Sequence, residues 1–362
     1  MRTKINTFSK LRDWANAHRK LSLVITGVTL VAIAAGVAAF LVTQNPVTDV
    51  PPPKASSSVK KEEPKPVFYA PLTGVEVADE NATTKPVTAI MIENSPDARP
   101  QSGIKSSSVV YEAIAEGGIT RFLVLYQQEK PQLVGPVRSL RMYYVDWLAP
   151  YNASVAHVGG SANALAEVRN GNYRDIDQFF NAGSYWRASD RWAPHNVYTS
   201  FERLDALNAA KGYTSSKPLV FPRKDSTPAK APTATSISVT MSGPLYNSSY
   251  TYDATNNYYL RSQGGGAHTD REEGQITPRV VIVIKSPMQL VQEDGWRQQY
   301  QTTGSGSATI FQDGTVQEVT WRKADRQAQY RFTDASGTEV SLARGQTWIS
   351  IVPASTGGVS WQ

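Results

Sequence analysis

The chain of 362 residues contains no cysteine. Disulfide bonds, thiolate zinc sites and a cysteine nucleophile are therefore excluded. The absence of cysteine is compatible with an oxidising compartment outside the cytoplasm, although it does not establish one. Any functional site must be built from other side chains.

The chain also lacks the motifs that mark common catalytic sites. It has four histidines, and none stands in His-Glu-x-x-His spacing, so the sequence predicts no metal and no cofactor. No Walker lysine follows the pair Gly159 and Gly160, and Gly304 and Gly306 do not form a dinucleotide fingerprint. No Gly-x-Ser-x-Gly elbow is present, which argues against a serine hydrolase of that type.

Positive charge is concentrated at the N-terminus. The formal net charge is +6, and residues 1–20 contribute +5 of it. The rest of the chain therefore carries only +1. A charge so close to neutral indicates no surface for a polyanion, and nucleic acid is not an expected partner.

An apolar stretch without charge follows at 21–42. As a helix its 22 residues would extend over about 33 Å, enough to cross an apolar bilayer core of about 30 Å. The basic flank at 1–20 predicts a cytoplasmic N-terminus and extracytoplasmic folded domains. A cleaved signal peptide is the alternative, but its apolar region normally has only about 7–15 residues, so a single-pass signal-anchor is favoured.

Residues 43–67 are rich in proline, lysine and serine, which predicts a semi-extended linker. Residues 68–222 then mix strand and helix patterns, which predicts an N-terminal α/β or α+β domain with a mixed sheet. The expected strands are 87–92, 109–115, 119–126 and 153–158. The expected helices are 141–149, 162–169 and 200–211.

The second half reads almost entirely as strands. Residues 223–235 are predicted to form a second linker. Residues 236–355 are predicted to form a mostly-β sandwich or barrel-like C-terminal domain, and residues 356–362 a tail. Short apolar or alternating runs are separated by turns such as that at Asp313 and Gly314, which is typical of all-β units. Whether this domain packs on the first is left open.

Several motifs, in order along the chain, resemble those of the YerB-like family. In the first half these are Pro71-Leu-Thr-Gly74, Ala98-Arg99-Pro100-Gln101-Ser102-Gly103, Glu116-Gly-Gly-Ile-Thr-Arg121-Phe122, Gly135-Pro-Val-Arg138-Ser139 and Ala193-Pro-His195-Asn196. In the second half they are Tyr259-Leu-Arg261, His268-Thr-Asp270 and Gly345-Gln-Thr-Trp348-Ile.

The resemblance covers roughly residues 68–355. It implies a bacterial extracytoplasmic protein with an N-terminal and a C-terminal domain, a domain of unknown function for which no reaction is established. Members of this family are mostly lipid-anchored through a lipobox cysteine, which this chain lacks. The resemblance therefore implies the same side of the membrane, with a transmembrane anchor in place of the lipid.

Seven arginines are candidate ligand-binding residues, because a guanidinium group binds carboxylates and phosphates through paired hydrogen bonds. They are Arg99, Arg121, Arg138, Arg141, Arg187, Arg191 and Arg261. Internal pairing is the alternative for each of them. The candidate internal partners are Glu93, Glu112, Glu116, Asp146 and Asp190.

A turn between a strand and a helix at His157-Val-Gly159-Gly160-Ser161 would direct free backbone N–H groups at an anion. The alternative is a tight turn in which Ser161 caps the helix. Ser139 and Asn196 complete the polar set expected at this cleft.

Three histidines are candidate acids or bases, because an imidazole group can act as either near neutral pH: His157, His195 and His268. Glu116 and Asp190 are further catalytic candidates, and Asp190 and Asp270 are candidate partners for a histidine. A buried structural histidine is the alternative at each position. The loop from Tyr185 to Trp192 mixes aromatic residues with arginine, which is typical of glycan or anion sites.

Three hypotheses follow, in descending order. The first is binding of an anionic or glycan envelope ligand, such as a peptidoglycan fragment or anionic glycopolymer, in a cleft lined by arginine and histidine. The second is an envelope hydrolase or a phosphoryl or glycopolymer transferase that uses the same cleft. The third is a scaffold that binds an envelope protein partner. Fold analogy cannot decide among them.

Overall fold

The computed structural model describes residues 12–14, 16–18, 20, 31–32 and 66–362. The chain divides into two compact units, Met1–Pro64 and Lys65–Gln362. In the described part of the chain, no helix is both long and apolar enough to cross a bilayer. The tail at 1–20, the anchor at 21–42 and the linker at 43–67 fall mainly outside the described residues and stay predictions.

The unit Lys65–Gln362 is mostly β. Its first strands are β1 (Phe68–Tyr69), β2 (Glu76–Val77), β3 (Thr88–Glu93), β4 (Val109–Ile114), β5 (Thr120–Tyr126), β6 (Ser154–Ala156), β7 (Arg174–Asp175), β8 (Trp186–Arg187), β9 (Val197–Tyr198) and β10 (Arg223–Lys224).

The later strands follow one another with short connections. They are β11 (Ser236–Thr240), β12 (Ser248–Asp253), β13 (Tyr258–Gln263), β14 (Gly266–Ala267), β15 (Thr269–Asp270), β16 (Gly274–Gln275), β17 (Val280–Ser286), β18 (Met288–Gln292), β19 (Trp296–Tyr300), β20 (Gly304–Gln312), β21 (Thr315–Lys323), β22 (Arg331–Thr333), β23 (Leu342–Ala343), β24 (Thr347–Pro353) and β25 (Gly358–Trp361).

The helices of this unit are short. They are α1 (Glu80–Thr83), α2 (Met142–Leu148), α3 (Ala162–Asn170) and α4 (Phe201–Ala210), with 3₁₀ turns at Pro96–Ala98, Ala149–Tyr151 and Ala182–Ser184. Helix α4 begins after Ser200, whose hydroxyl accepts a hydrogen bond from the Arg203 amide. The side-chain cap of α4 is therefore Ser200.

A ten-stranded mixed sheet runs through the unit in the order β22-β21-β20-β17-β24-β4-β5-β3-β6-β7. The mixed sheet expected in the first half is thus confirmed, but it is larger than the sequence indicated. Strand β24 pairs in parallel with β17 on one side and with β4 on the other. The two halves of the sequence are therefore continuous within one sheet.

A second sheet covers part of one face of the large sheet. Its five strands lie in the order β14-β13-β12-β11-β25. Ile237 and Tyr259 from this sheet share a core with Phe311 and Trp348 of the large sheet. The second half consequently forms no barrel or sandwich by itself. Sheet-on-sheet packing was expected within the second half. The five-stranded sheet packs instead on the large sheet, to which both halves of the sequence contribute strands.

Two segments predicted to lie outside the domains are also built into sheets. Strand β10 lies within 223–235 and pairs with β23. Strand β25 lies within 356–362, which the sequence indicated as a tail, and it pairs with β11. Short polar strands at a sheet edge lack the long apolar pattern by which strands are recognised in a sequence.

The side chains of the central strands alternate between the two faces of the large sheet, and a hydrophobic core lies on each face. In β3, Ala89 and Met91 face one core, and Ile90 and Ile92 face the other. Successive strand residues point to opposite faces, so a run that is apolar throughout buries both sides. This explains why β3, β4 and β5 are buried along their whole length.

A fully buried ion pair joins the two halves. The Arg261 Nη2 atom of β13 lies 2.8 Å from Glu112 Oε2 of β4, and both side chains have no solvent exposure. The indole of Trp348 donates to the same carboxylate oxygen at 3.0 Å. The guanidinium carbon lies 4.2 Å from the centroid of the Trp348 ring, so the charge is also stabilised by a cation–π contact.

We predict that Arg261→Met lowers the free energy of unfolding by about 3–5 kcal/mol, because Glu112 is left buried without its counter-charge. The double variant Arg261→Met/Glu112→Gln should recover part of the loss. Urea unfolding of the three proteins measures this.

The exposed pair of Arg331 and Glu339 supplies the control, since its atoms also approach to 2.8 Å but in solvent. Arg331→Met should change stability little. Equal losses in Arg261→Met and Arg331→Met would contradict the importance of the buried pair.

Candidate functional site

The carboxyl ends of three parallel strands meet at one edge of the large sheet. Strands β3, β6 and β7 run parallel to one another, and they end at Glu93, Ala156 and Asp175. In open α/β sheets, this edge is where ligands usually bind. Most of the predicted polar residues of the first half lie close to it.

His157 follows β6 at this edge and is fully buried. Its Nδ1 atom lies 2.8 Å from the carbonyl oxygen of Gly159, and its Nε2 atom lies 2.9 Å from Asp175 Oδ1. Each ring nitrogen thus lies within hydrogen-bond distance of an oxygen of the protein. His157 holds the strand ends together and has no free nitrogen to present to a ligand.

The glycine turn after His157 is already occupied by an internal carboxylate. Asp177 Oδ1 accepts from the Gly159 amide at 3.1 Å and from the Phe179 amide at 3.2 Å. Its other oxygen accepts from Arg169 at 2.9 Å. Asp177 therefore takes the place that the sequence pattern had assigned to a ligand anion.

The end of this turn serves helix α3. Ser161 occupies the N-cap position of α3 without a side-chain hydrogen bond. Gly160 lies beside Leu140 in an isolated bridge. These residues shape the connection from strand to helix, in agreement with the alternative structural interpretation of the motif.

Arg121 and Arg141 share the carboxylate of Glu116. Arg121 Nη2 lies 3.1 Å from Glu116 Oε2, and Arg141 Nε contacts the other oxygen. Each guanidinium also donates to a backbone carbonyl oxygen: Arg121 to that of Ser139 at 2.7 Å, and Arg141 to that of Leu140 at 2.6 Å. Desolvation raises the pKa of Glu116, but the two arginines outweigh it, so that pKa lies below its ordinary value. This cluster is internally paired.

Three further arginines also bond within the protein. Arg99 donates to Asn94 Oδ1 at 3.0 Å. Arg187 donates to Asn196 Oδ1 at 2.8 Å. Arg191 donates to the carbonyl oxygens of Asp97 and Pro100. These contacts fix the loops that carry the three arginines.

A partly open patch remains around Glu93, which we call the Glu93 patch and define by Glu93, Asp97, Arg138, Trp192 and His195. His195 Nδ1 lies 2.9 Å from Glu93 Oε2, and Arg138 Nε lies 3.3 Å from Glu93 Oε1. The Glu93 side chain is 5% exposed, whereas Arg138 is 27% and His195 21% exposed. One buried carboxylate thus holds two partly exposed basic groups.

The free side of the His195 ring points away from Glu93. Its Nε2 atom has Asp97 at 3.9 Å, and the Asp97 side chain is 83% exposed. Ser95 Oγ lies 3.2 Å from Nδ1, on the same side as Glu93. A serine nucleophile would have to face Nε2 when the carboxylate is bound to Nδ1, so Ser95 does not complete a triad.

The carboxylate partners differ from those indicated by the sequence. His195 pairs with Glu93, and Asp190 instead forms an ion pair with Arg271 at 2.7 Å. Asp270 Oδ1 accepts from the amides that follow it in its own turn, at Glu272 and Glu273. Such pairings join segments about 100 residues apart and leave no signal in local spacing.

A chain of hydrogen bonds connects the Glu93 patch to the buried ion pair of Glu112 and Arg261. The Gln101 amide donates to the Glu93 carbonyl at 3.0 Å and to Asn94 Oδ1 at 2.9 Å. Asn94 donates to Thr120 Oγ1 at 2.7 Å, and Thr120 donates to Glu112 at 3.2 Å. The surface site and the core are parts of one polar network.

His268 also belongs to this network. Its Nε2 atom lies 3.0 Å from Gln101 Oε1, and the ring is nearly inaccessible to solvent. Burial, followed by the charges of Arg261 and Arg99, lowers the pKa of His268 well below the ordinary value of 6.5. His268 is therefore neutral and structural in the folded protein.

Two aspartates of the site were missed by sequence reasoning, Asp175 and Asp177. The signal that could have found them is their position, since both lie at the end of a short strand that is parallel to its neighbour. A two-residue strand is too short to be recognised from periodicity. In the described residues, no three His, Asp or Glu side chains converge as a metal site.

Comparisons with known proteins give a consistent family. Residues 72–214 match the N-terminal domain, and residues 237–349 the C-terminal domain, of the family described as "Protein of unknown function (DUF3048)". "Putative lipoprotein YerB" of Bacillus subtilis (strain 168) is 32% identical over 289 residues, which span 78% of this chain and 86% of the relative. The crystal structure of the YerB protein from Bacillus subtilis superposes with a TM-score of 0.71 at 29% identity, covering 81% of this chain and 99% of that one.

We predict a pH-dependent stability that arises from His268. An unfolded histidine has a pKa of about 6.5, so below that pH the unfolded chain binds a proton that folded His268 does not. The free energy of unfolding should therefore fall as the pH drops below about 6.5, with a slope of up to about 1.4 kcal/mol per pH unit from this group. Urea unfolding at neutral and at mildly acidic pH measures it.

The variant His268→Gln keeps a hydrogen-bonding side chain and removes the titrating group. Its loss of stability between the two pH values should be smaller than that of the parent. The comparison is made within each protein, so a general destabilisation of the variant does not affect it. Identical pH slopes would show that His268 does not contribute.

Proposed function

The chain belongs to the DUF3048 family, and from this membership and the Glu93 patch we propose that residues 66–362 form an extracytoplasmic unit that binds an anionic group of an envelope polymer. The name of the Bacillus subtilis relative supports a membrane-anchored protein outside the cytoplasm. For this chain we propose a single-pass anchor at 21–42, with the N-terminus in the cytoplasm. Peptidoglycan fragments and anionic glycopolymers are the ligands that this location offers.

The hydrogen bonding of Arg138 carries the proposal. In the described part of the chain its guanidinium makes no hydrogen bond to the protein, and its Nε atom is buried without such a partner. Its one contact with a carboxylate is the ion pair with Glu93 at 3.3 Å. A guanidinium group has five N–H donors, and a partly exposed group with unused donors is suited to a carboxylate or phosphate.

His195 and Trp192 add to this surface. His195 Nε2 faces outward beside Arg138, because its Nδ1 atom is held by Glu93. Trp192 is 89% exposed, and its carbonyl accepts from the His195 amide at 2.9 Å. An exposed indole in the same loop as His195 could pack against a ring of the ligand.

Asp97 opposes anion binding at the same patch. Its exposed carboxylate lies 3.9 Å from His195 Nε2, and a like charge at short range disfavours a bound anion. Removal of this charge should therefore increase the affinity for an anion. The sign of this effect is opposite to that expected for loss of Arg138.

We predict that Arg138→Gln weakens binding of muramyl dipeptide, an anionic peptidoglycan fragment, by about tenfold or more. One charge-assisted hydrogen bond contributes about 1.5–3 kcal/mol, and tenfold corresponds to about 1.4 kcal/mol. Asp97→Asn should strengthen the same binding. Isothermal titration calorimetry of the full-length chain measures both, with inorganic phosphate as a second probe.

Arg331→Gln is the matched control, because Arg331 is an exposed arginine that pairs with Glu339. It should bind both probes as the parent does. The proposal is wrong if neither probe binds the parent, or if Arg138→Gln and Arg331→Gln bind equally well.

Acid–base catalysis is a second candidate, and the contact between His195 and Glu93 favours it. A carboxylate at Nδ1 leaves Nε2 able to take a proton from water. The hydroxide oxygen would then bond to the carbonyl carbon or phosphorus of an ester, the bond from that atom to the alcohol oxygen would break, and Nε2 would return its proton to the departing alcohol oxygen. Arg138 would stabilise the charge that develops on the attacked group.

This candidate predicts that the full-length chain hydrolyses 4-nitrophenyl acetate or 4-nitrophenyl phosphate. His195→Gln should then lower kcat/KM about a hundredfold or more, as expected for loss of a general base. Arg331→Gln should leave the rate unchanged. A rate that does not exceed the buffer reaction, or that survives in His195→Gln, would leave binding as the function of the patch.

A further inference from the structure

A recess of about 390 Å³ lies beside the hairpin of β8 and β9. The hairpin contributes Trp186, Arg187, Asp190 and Tyr198 to its lining. The turn between β15 and β16 contributes Arg271 and Glu272. None of the residues of the Glu93 patch lines it, although His195 lies in the same hairpin connection.

Two aromatic residues lie on one face of the hairpin. Trp186 and Tyr198 are directly opposite each other in the β8–β9 register, so their side chains point to the same side. The Arg203 guanidinium lies 4.8 Å from the centroid of the Trp186 ring and orders it. A held aromatic ring in a recess can pack against the C–H face of a sugar ring.

Tyr198 also offers a polar group. It is 1% exposed, and its buried hydroxyl makes no hydrogen bond of standard geometry in the described part of the chain, although the Arg271 side chain interacts with it. A hydroxyl group can both donate and accept hydrogen bonds. A ligand hydroxyl in the recess would supply a further partner.

The charges of the four charged residues that line the recess sum to zero. Arg187 and Arg271 carry positive charge, and Asp190 and Glu272 carry negative charge. Asp190 and Arg271 approach to 2.7 Å. Such a lining has no net attraction for an anion, but it presents both donors and acceptors side by side, which the hydroxyl groups of a sugar need.

We propose that this recess binds a neutral pyranose unit of an envelope glycan. This proposal extends the proposed function and rests on it for the location of the protein outside the cytoplasm. The anionic group of the polymer would bind at the Glu93 patch, and a neutral sugar of the same polymer would bind in the recess. The sugar ring packs on Trp186, and its hydroxyl groups bond to Glu272, Asp190 and the hydroxyl of Tyr198.

The test uses chitotetraose, an uncharged oligosaccharide of N-acetylglucosamine, titrated into the full-length chain and followed by tryptophan fluorescence and calorimetry. Saturable binding is expected. Trp186→Ala should weaken it about tenfold or more, which is about 1.4 kcal/mol. Glu272→Gln should weaken the binding as well. Because this variant leaves the aromatic pair intact, it still tests the proposal if Trp186→Ala fails to fold.

Trp296→Ala is the matched control, because Trp296 is 66% exposed in the separate β18–β19 hairpin. It should bind chitotetraose as the parent does. Muramyl dipeptide is titrated into the parent in the same series, so failure of the anion site and failure of the sugar site are distinguishable. The proposal would be overturned if the parent shows no saturable binding, or if Glu272→Gln and Trp186→Ala both bind chitotetraose as tightly as the parent does.

Discussion

The buried ion pair between Glu112 and Arg261 is the constraint on which the rest of the structure depends. Its two charges come from different halves of the sequence and are both inaccessible to solvent. Either charge without the other would be buried at a cost of several kcal/mol. The pair is therefore tolerated only when β4 and β13 are both in place. The large sheet enforces the same condition, because β24 of the second half lies next to β4.

The geometry of the Glu93 patch follows from this core. Thr120 and Asn94 carry hydrogen bonds from Glu112 toward the edge of the sheet, and Gln101 fixes the backbone at Glu93. The Glu93 carboxylate is consequently held in one position before any ligand is present. A site supported by a bonded network loses less conformational entropy on binding than a site of free side chains. The core thus contributes to function without contacting the ligand.

The sequence predicted the mixed sheet and the region where polar groups gather, because long apolar strands and the turns between them are local patterns. It did not predict which groups pair. Glu93 with His195 and Glu112 with Arg261 join segments that are 102 and 149 residues apart. The β10 and β25 strands were missed because short polar strands depend on their neighbours for pairing. Local spacing therefore located the edge, but only tertiary contacts determine which of its side chains remain available.

Hydrogen bonds to the backbone, rather than number of charges, distinguish Arg121 and Arg141 from Arg138. Arg121 and Arg141 share Glu116, and the backbone carbonyls of Ser139 and Leu140 take further donors. Arg138 shares the Glu93 carboxylate with His195. In the described part of the chain, its guanidinium donates no hydrogen bond to a backbone carbonyl. The same reasoning applies to Tyr198, whose buried hydroxyl makes no hydrogen bond of standard geometry in the described part of the chain. Because an unpaired buried donor costs free energy in the unliganded protein, a ligand oxygen at either position restores stability as it binds.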